Sequence, residues 1–530
     1  MTSIDEPLLA HAAVRPSLYD RWVGRIHADP SRARFYDWAA PILVTVLAGI
    51  LRFWNLAQPH ALVFDETYYV KDAWSQWILG YPSTWPNNAD RDFAAGHTDI
   101  FTKTGSFVVH PPLGKYLIGL GMWIFGAESS FAWRVAVAFV GTMTVLVLYF
   151  VAREMTGSTR FATVAGLLMA IDGLAIVMSR VSILDIFLTF FILLAVWFIL
   201  LDRRSHLERL AELIVARTAD DERLRWGPVL WRRPWLLAAG IALGAATAVK
   251  WSGLYVLVGF AIYVIVTDAL ARRRAGVVMW GLDSLRQGLV AALWAVPAAL
   301  VVYLVSWTGW LVTSGGYDRT SAEAPASGFW SWVPAPLRAL WNYHQAMYGF
   351  HVGLTTPHTY ASPAWQWPFL IRPTSMYWHQ DQFGQNGCTF ASSCVQAISS
   401  IPNPLIWWGS VAAAIYLVYR FIVARDWRYA VVLTALAATY VPWLLYPERT
   451  IFQFYTIAML PFLILALTFA LQALAGASSG DRHRRLVGQR VVWIYLIVVA
   501  LVSALWYPAI TGMTIPYDFW RLHNWIQTWI

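Results

Sequence analysis

Charge is scarce in this sequence. Of 530 residues, only 13% are Asp, Glu, Lys or Arg while 58% are hydrophobic, and the mean hydropathy is +0.50. That balance excludes an ordinary soluble domain, whose surface needs more charge. Zinc-spaced His and Cys, Gly-rich phosphate loops after strands and G-x-S-x-G turns are all missing, so the common signatures of those site types are missing with them. A short apolar segment followed by a small-residue cleavage site is also missing, and no cleaved signal peptide is expected. No internal repeat of the kind many transporters carry is visible.

What is present is a series of apolar runs, each long enough to cross a hydrocarbon core of ~30 Å as a helix. They lie near 40–56, 134–152, 161–179, 183–201, 235–250, 253–270, 288–307, 403–420, 429–446, 451–475 and 491–509. Helices satisfy their own backbone in lipid, so the expected fold is an all-α polytopic membrane protein of about eleven spans, a single domain over residues 1–530. The net charge of +9 sits in short connections between runs, which is a topology signal and not a nucleic-acid face. Many of the 32 Trp lie near the ends of runs, where an amphipathic ring suits the headgroup zone.

A basic tail, residues 1–39, carries Arg15, Arg21, Arg25, Arg32 and Arg34 and is expected in the cytoplasm. With that orientation 26 Lys and Arg lie inside and 13 outside, and the C-terminus is extracytoplasmic. The parity depends on YLIGLGMWIFG, Tyr116 to Gly126: eleven residues with three glycines are too short to span, so the segment is read as re-entrant or interfacial. Two large loops, about 57–133 and 308–402, then share the outer side and carry interfacial helices. All four lysines, Lys71, Lys103, Lys115 and Lys250, are outside as well. Cys388 and Cys394, the only cysteines, bracket GCTFASSC in the second loop. A close even pair in an oxidising compartment favours a structural disulfide over two free thiols.

Several polar groups converge on that outer face. VFDETYYVKDAW sets Asp65 beside Glu66, either as acids complementing a helix dipole or as a general base with a second acid that positions the acceptor. VVHPPLGKYLIG places His110 and Lys115 around a Pro-Pro helix start, where they are punctuation or else a hold on a phosphate or carboxylate. Arg134, Arg180 with Asp185, Lys250 and Arg449 lie at outer helix ends, either snorkelling and salt-bridged or gathered on a lipid-linked anion. ADRDF offers Asp90 and Asp92 with Arg91 between them, and the opposing charge argues against a metal there.

FDETYY, HPPLGK, SRVSILDIFLTFF, KWSGLY and PERTIFQFYTIAMLPFLILAL occur in this order, and together they resemble the protein O-mannosyltransferases, multispan glycosyltransferases of the GT-C class. The resemblance covers most of the chain and is nearest to the actinobacterial branch, without the soluble domain that eukaryotic members insert in the second outer loop. It implies transfer of mannose from a polyprenyl-phosphate carrier to Ser or Thr hydroxyls of proteins emerging through the secretory translocon, at the outer face of the plasma membrane. No cofactor, metal or nucleic acid is expected.

The leaving group is a weakly basic phosphate, which needs charge from Arg134, Lys115, Arg180 or Arg449 and no general acid. The hydroxyl nucleophile needs a base, for which Asp65 is the candidate, with Glu66 placing the acceptor and His110, Asp185 and Lys250 in support. The step is a single inverting displacement. Two alternatives remain open. One is a GT-C enzyme using another lipid-linked sugar or a lipid or glycan acceptor; the other is a transporter, whose site would sit nearer the bilayer midplane.

Overall fold

In the computed structural model, residues 21, 24–26, 28–217, 224–325, 327–476 and 481–530 are described. Most of the basic tail, Arg15 included, and residues 218–223 of the Arg-rich connection lie outside them. The longer helices are α1 (Pro30–Phe53), α2 (Glu66–Leu79), α3 (Leu113–Phe125), α4 (Ser130–Thr156), α5 (Thr159–Ile171), α6 (Asp185–Arg217) and α7 (Pro234–Val249). They continue with α8 (Ser252–Arg274), α9 (Trp280–Ser306), α10 (Ala335–Gly353), α11 (Pro404–Ala424), α12 (Trp427–Leu444), α13 (Leu460–Ala475) and α14 (Arg482–Ile510).

Among the described residues seven helices, α1, α4, α6, α8, α9, α11 and α14, are long and apolar enough to cross a membrane. α3, α5, α7 and α13 are shorter apolar helices. Their packing separates centre from periphery. The apolar window of α6 is 72% buried and those of α9 and α14 only 17%, and every residue from Leu460 to Phe469 of α13 is buried. A helix apolar all round and buried lies in the core, whereas one apolar and exposed faces lipid.

Helix starts follow side-chain chemistry. Asn403 accepts from the amides of Leu405 and Ile406, Asp426 from that of Arg428 and Asp481 from that of Arg484, satisfying donors that a helix leaves unpaired at its N-terminus. Asp172 breaks the run expected at 161–179: α5 ends at Ile171, and the carboxylate caps a short helix, Gly173–Val177, at the Ala175 amide while also accepting from the Asn403 amide.

The excursion between α1 and α4 returns to the face it left. Ser130 Oγ, at the start of α4, donates to Ala57 O at 2.7 Å and lies 2.8 Å from His60 Nδ1, just beyond α1. Residues 57 and 130 are therefore neighbours, and α3 does not carry the chain away from that point. It lies against α2 instead, with Gln76 donating to Pro112 O and Tyr116 to Gly80 O.

The second large loop departs from the all-α expectation. It contributes β1 (Ser375–Gln382) and β2 (Ser393–Ser399) to a three-stranded antiparallel sheet completed by β3 (Thr514–Pro516), in the order β1-β2-β3. Cys388, in the connection between β1 and β2, is joined in a disulfide to Cys394 of β2, Cα–Cα 5.6 Å. β3 comes from beyond α14 and pairs Val395 with Ile515. The C-terminal segment and this loop therefore occupy one face.

Candidate active site

Phe64 adopts a left-handed backbone, φ 49°, a conformation that costs a non-glycine residue about 1–3 kcal/mol. Edge-on rings of His358, Phe452 and Phe454 hold it there. The two carboxylates that follow go to different surroundings. Glu66 is fully buried; Oε1 accepts from Arg134 Nε at 2.8 Å and the Ser182 amide at 2.8 Å, and Oε2 from Arg134 Nη2 at 2.8 Å and the Val63 amide at 3.0 Å. Arg134 gives its remaining N–H groups to the carbonyls of Leu56, Pro59 and Ala61.

Asp65 stands at the N-cap position of α2, yet its side chain accepts no bond from the first turn, so capping does not account for it. Burial raises its pKa to about 6, against the pull of Lys250 and with Asp185 adding to the rise. It is half-buried and poised to exchange a proton near neutrality.

A cavity of about 1010 Å³ opens among α6, α7, α8, α9, α10 and α12. Its polar end is made by Asp185, Lys250, His110, His351 and Arg449. Lys250 Nζ donates to Asp185 Oδ2 at 2.7 Å and lies 5.0 Å from the Tyr455 ring centre. Arg449 donates from Nε to His351 O at 2.8 Å and from Nη2 to His351 Nδ1 at 3.1 Å. His351 Nε2 faces Val109 O at 2.7 Å. That arrangement fixes a neutral ring: Nε2 donates and Nδ1 accepts. Burial pushes the His351 pKa to about 4, with Arg449 and Lys250 contributing.

Burial and the cations Lys250, Lys115 and Arg449, together with the His351 ring, likewise keep His110 neutral, its pKa well below the usual value. Beyond the polar end the lining becomes apolar along each helix, with Leu188 and Ile192 following Asp185 and Leu254 and Leu257 following Lys250. The cavity is thus amphipathic, cationic at one end and greasy along its flank.

Of the expected site residues, His110, Asp185, Lys250 and Arg449 line this cavity. Asp65 does not line it but lies within electrostatic reach of Lys250 and Asp185. Four others are engaged with protein groups elsewhere. Glu66 and Arg134 satisfy each other. Arg180 donates to the carbonyls of Arg52, Trp54 and Asn55 at the end of α1. Lys115 is buried and donates to His110 O at 2.7 Å and Pro111 O at 3.3 Å, closing the Pro-Pro turn. Asp90 is taken up by Thr67 and Lys71.

The sequence reading missed α10's contribution, His344 and His351, although their spacing of seven puts them on one helical face. His344 completes a directed chain, Trp251 Nε1 donating to Tyr303 Oη and Tyr303 Oη lying 2.6 Å from His344 Nε2.

The family described as dolichyl-phosphate-mannose-protein mannosyltransferase matches residues 101–313, and the C-terminal four TMM region of protein-O-mannosyltransferase matches residues 336–529. The chain belongs to the protein O-mannosyltransferase family. A polyprenol-phosphate-mannose–protein mannosyltransferase of Mycolicibacterium smegmatis is 34% identical to this mannosyltransferase family member, covering 94% of this chain and 93% of the relative. A namesake from Corynebacterium glutamicum is 30% identical, with 94% of each covered. In fold, the chain is similar to the S. cerevisiae protein O-mannosyltransferase complex solved with the sugar donor, TM-score 0.68 at 15% identity, covering 93% of this chain and 92% of that one. The multispan helical architecture expected of a GT-C protein is therefore present in this O-mannosyltransferase family member.

Proposed function

We propose that the amphipathic cavity holds a polyprenyl-phosphate mannose and that the chain transfers the mannose to Ser or Thr hydroxyls of proteins. One observation carries this reading: Lys250 and Arg449 close one end of a cavity whose flank is apolar, with a carboxylate of pKa about 6 at its margin. A lipid phosphate requires that combination of charge and grease. The family assignment supplies the sugar and the protein acceptor.

In the proposed step the acceptor hydroxyl oxygen bonds to the anomeric carbon and its proton passes to Asp65. The bond from that carbon to the phosphate oxygen breaks, and the electron pair leaves with polyprenyl phosphate. Lys250 and Arg449 stabilise the charge that develops there, taking the part first expected of Arg134, Lys115 and Arg180. Asp185 orients Lys250, and neutral His351 orients Arg449. Attack and departure on opposite faces invert the anomeric centre, so a β-linked donor gives an α-mannoside. No metal enters this scheme, because the two cations meet the phosphate charge.

The same reading makes α1, α4–α9 and α11–α14 eleven crossings, with the basic tail in the cytoplasm and the cavity's polar end at the outer face of the plasma membrane. Acceptors leaving the secretory translocon would meet it there. The test is transfer of label from polyprenyl-phosphate mannose to a Thr-containing peptide by the purified protein, with and without EDTA. Label on the peptide hydroxyl, insensitive to EDTA, is expected; transfer from another sugar donor in preference to mannose would overturn the reading.

A further inference from the structure

The molecule has a second cavity, of about 1290 Å³, which shares Tyr255, Ala438 and Pro442 with the first and continues along the seam between α8 and α12. Its walls there are apolar, with Val258, Ile262 and Val441, and it ends among Arg203, Arg274, Arg425 and Arg428. Asp185 and Arg203 are both on α6, eighteen residues apart (203 − 185). At 1.5 Å per residue that is about 27 Å, close to the ~30 Å of a hydrocarbon core. The seam thus joins two charged ends across the apolar thickness of the protein.

At the far end cations exceed anions. Five arginines line the cavity, Arg233 and the four just named, against Asp202, Asp268 and Asp426. Arg233 is committed to Asp202 and Asp268, and Arg428 to Asp426. Arg203 lies with its guanidinium carbon 3.9 Å from the centre of the Trp427 ring, and its Nε is buried without a hydrogen-bond partner. Tyr263, Asp426 and Arg274 all lie within electrostatic reach of that guanidinium. Topology alone explains why arginines gather at a cytoplasmic face. It does not explain a buried Nε–H without a hydrogen-bond partner beside a second arginine at the mouth of an apolar groove. An anion with an apolar tail satisfies both features.

We propose that this end of the seam binds the phosphate of an anionic glycerophospholipid, held by Arg203 and Arg274, with an acyl chain lying between α8 and α12. The lipid belongs to the leaflet opposite the donor. Apolar walls separate the two charged ends, so a headgroup has no polar path from one to the other and each end takes its own lipid. The inference rests on the membrane reading above and is independent of the sugar transferred.

The test is native mass spectrometry of the purified full chain titrated with phosphatidylglycerol, phosphatidylcholine or inorganic phosphate. Phosphatidylglycerol is expected to bind at least tenfold more tightly than phosphatidylcholine, and the Arg203→Gln, Arg274→Gln double variant should lose about that factor, the size expected for charge-assisted bonds to phosphate. Arg274 is exposed, so Arg274→Gln alone should fold normally and still weaken phosphatidylglycerol severalfold. Mannosyl transfer at saturating donor should stay within twofold in these variants, because neither residue lines the donor cavity. Equal binding of the two lipids, or unchanged phosphatidylglycerol binding in the folded Arg274→Gln variant, would overturn the proposal. Displacement of the lipid by millimolar inorganic phosphate would also overturn it, by marking a site for a free anion.

Discussion

Burial holds Asp65 at about 6, whereas the carboxylate one residue on accepts four hydrogen bonds in a sealed pocket. The fold therefore favours protonated Asp65 relative to the unfolded chain, where a carboxyl titrates near ~3.9. Its stabilising contribution is complete below about pH 4 and is lost as pH rises through about 6. Asp65→Asn should accordingly raise the unfolding temperature at pH 7, with the gain vanishing at pH 4, while transfer falls by about 10²–10⁴-fold. In the native protein, transfer at low substrate should drop roughly tenfold per pH unit below about 6. A melting curve across pH and a rate profile test both, and full turnover in Asp65→Asn would remove the base. Glu66 and Arg134 behave differently. Glu66→Gln or Arg134→Ala leaves an uncompensated buried charge or acceptor and should cost about 3–5 kcal/mol. The folded fraction should keep its donor KM, which thermal unfolding combined with donor titration would show. The sequence made both carboxylates conspicuous, but the pairing that separates them joins residues 66 and 134, which no local pattern connects.

At the scale of elements, apolar runs announced the helices because each must offer lipid or a buried core an apolar surface. Their ends were less legible. α6 continues sixteen residues beyond the expected end at 201, since DRRSHLERLAELIVAR is rich in helix formers but too polar to register as a span. Asp172 divides α5 from the turn after it by offering its carboxylate to two amides, one of them at Asn403, far along the chain. The sheet was not foreseen at all. β1 carries Trp378, His379 and Gln380, and β3 is only three residues long and lies more than a hundred residues further along the chain, so no hairpin signal includes it. Within this unit the disulfide closes a loop with a sequence separation of 6, worth about 2 kcal/mol by loop entropy. Replacing both cysteines by serine should increase amide exchange in β1 and β2 by roughly tenfold or more, and leave donor KM unchanged because neither strand lines the cavity. Unaltered exchange would mean that the β3 pairing alone holds the hairpin.

For the whole molecule, the arrangement turns on one seam. The apolar stretch of α6 and residues Leu460–Phe469 of α13 form the buried centre, while α8 and α12 stand against them with a groove between, entered from the Lys250 and Arg449 end. If a polyprenyl tail lies there, the groove must discriminate by tail and the charged end by phosphate, and the two contributions can be separated. Ala438 lines both cavities and lies on α12, remote in sequence from Asp65, Lys250 and His351. Ala438→Trp fills the groove without touching the polar end. A long-chain polyprenyl-phosphate mannose should then show a KM raised about tenfold, the scale of losing the burial of two or so methylenes at ~0.8 kcal/mol each. A short-chain analogue that never reaches residue 438 should be unaffected, and kcat should be preserved for both, since the reacting atoms and Asp65 are not displaced. Steady-state kinetics with the two donors decide the matter. Equal losses would mean that the bulk of Trp has disturbed the helices, whereas no loss with either donor would put the lipid tail outside the seam and require another path from Lys250 to the bilayer.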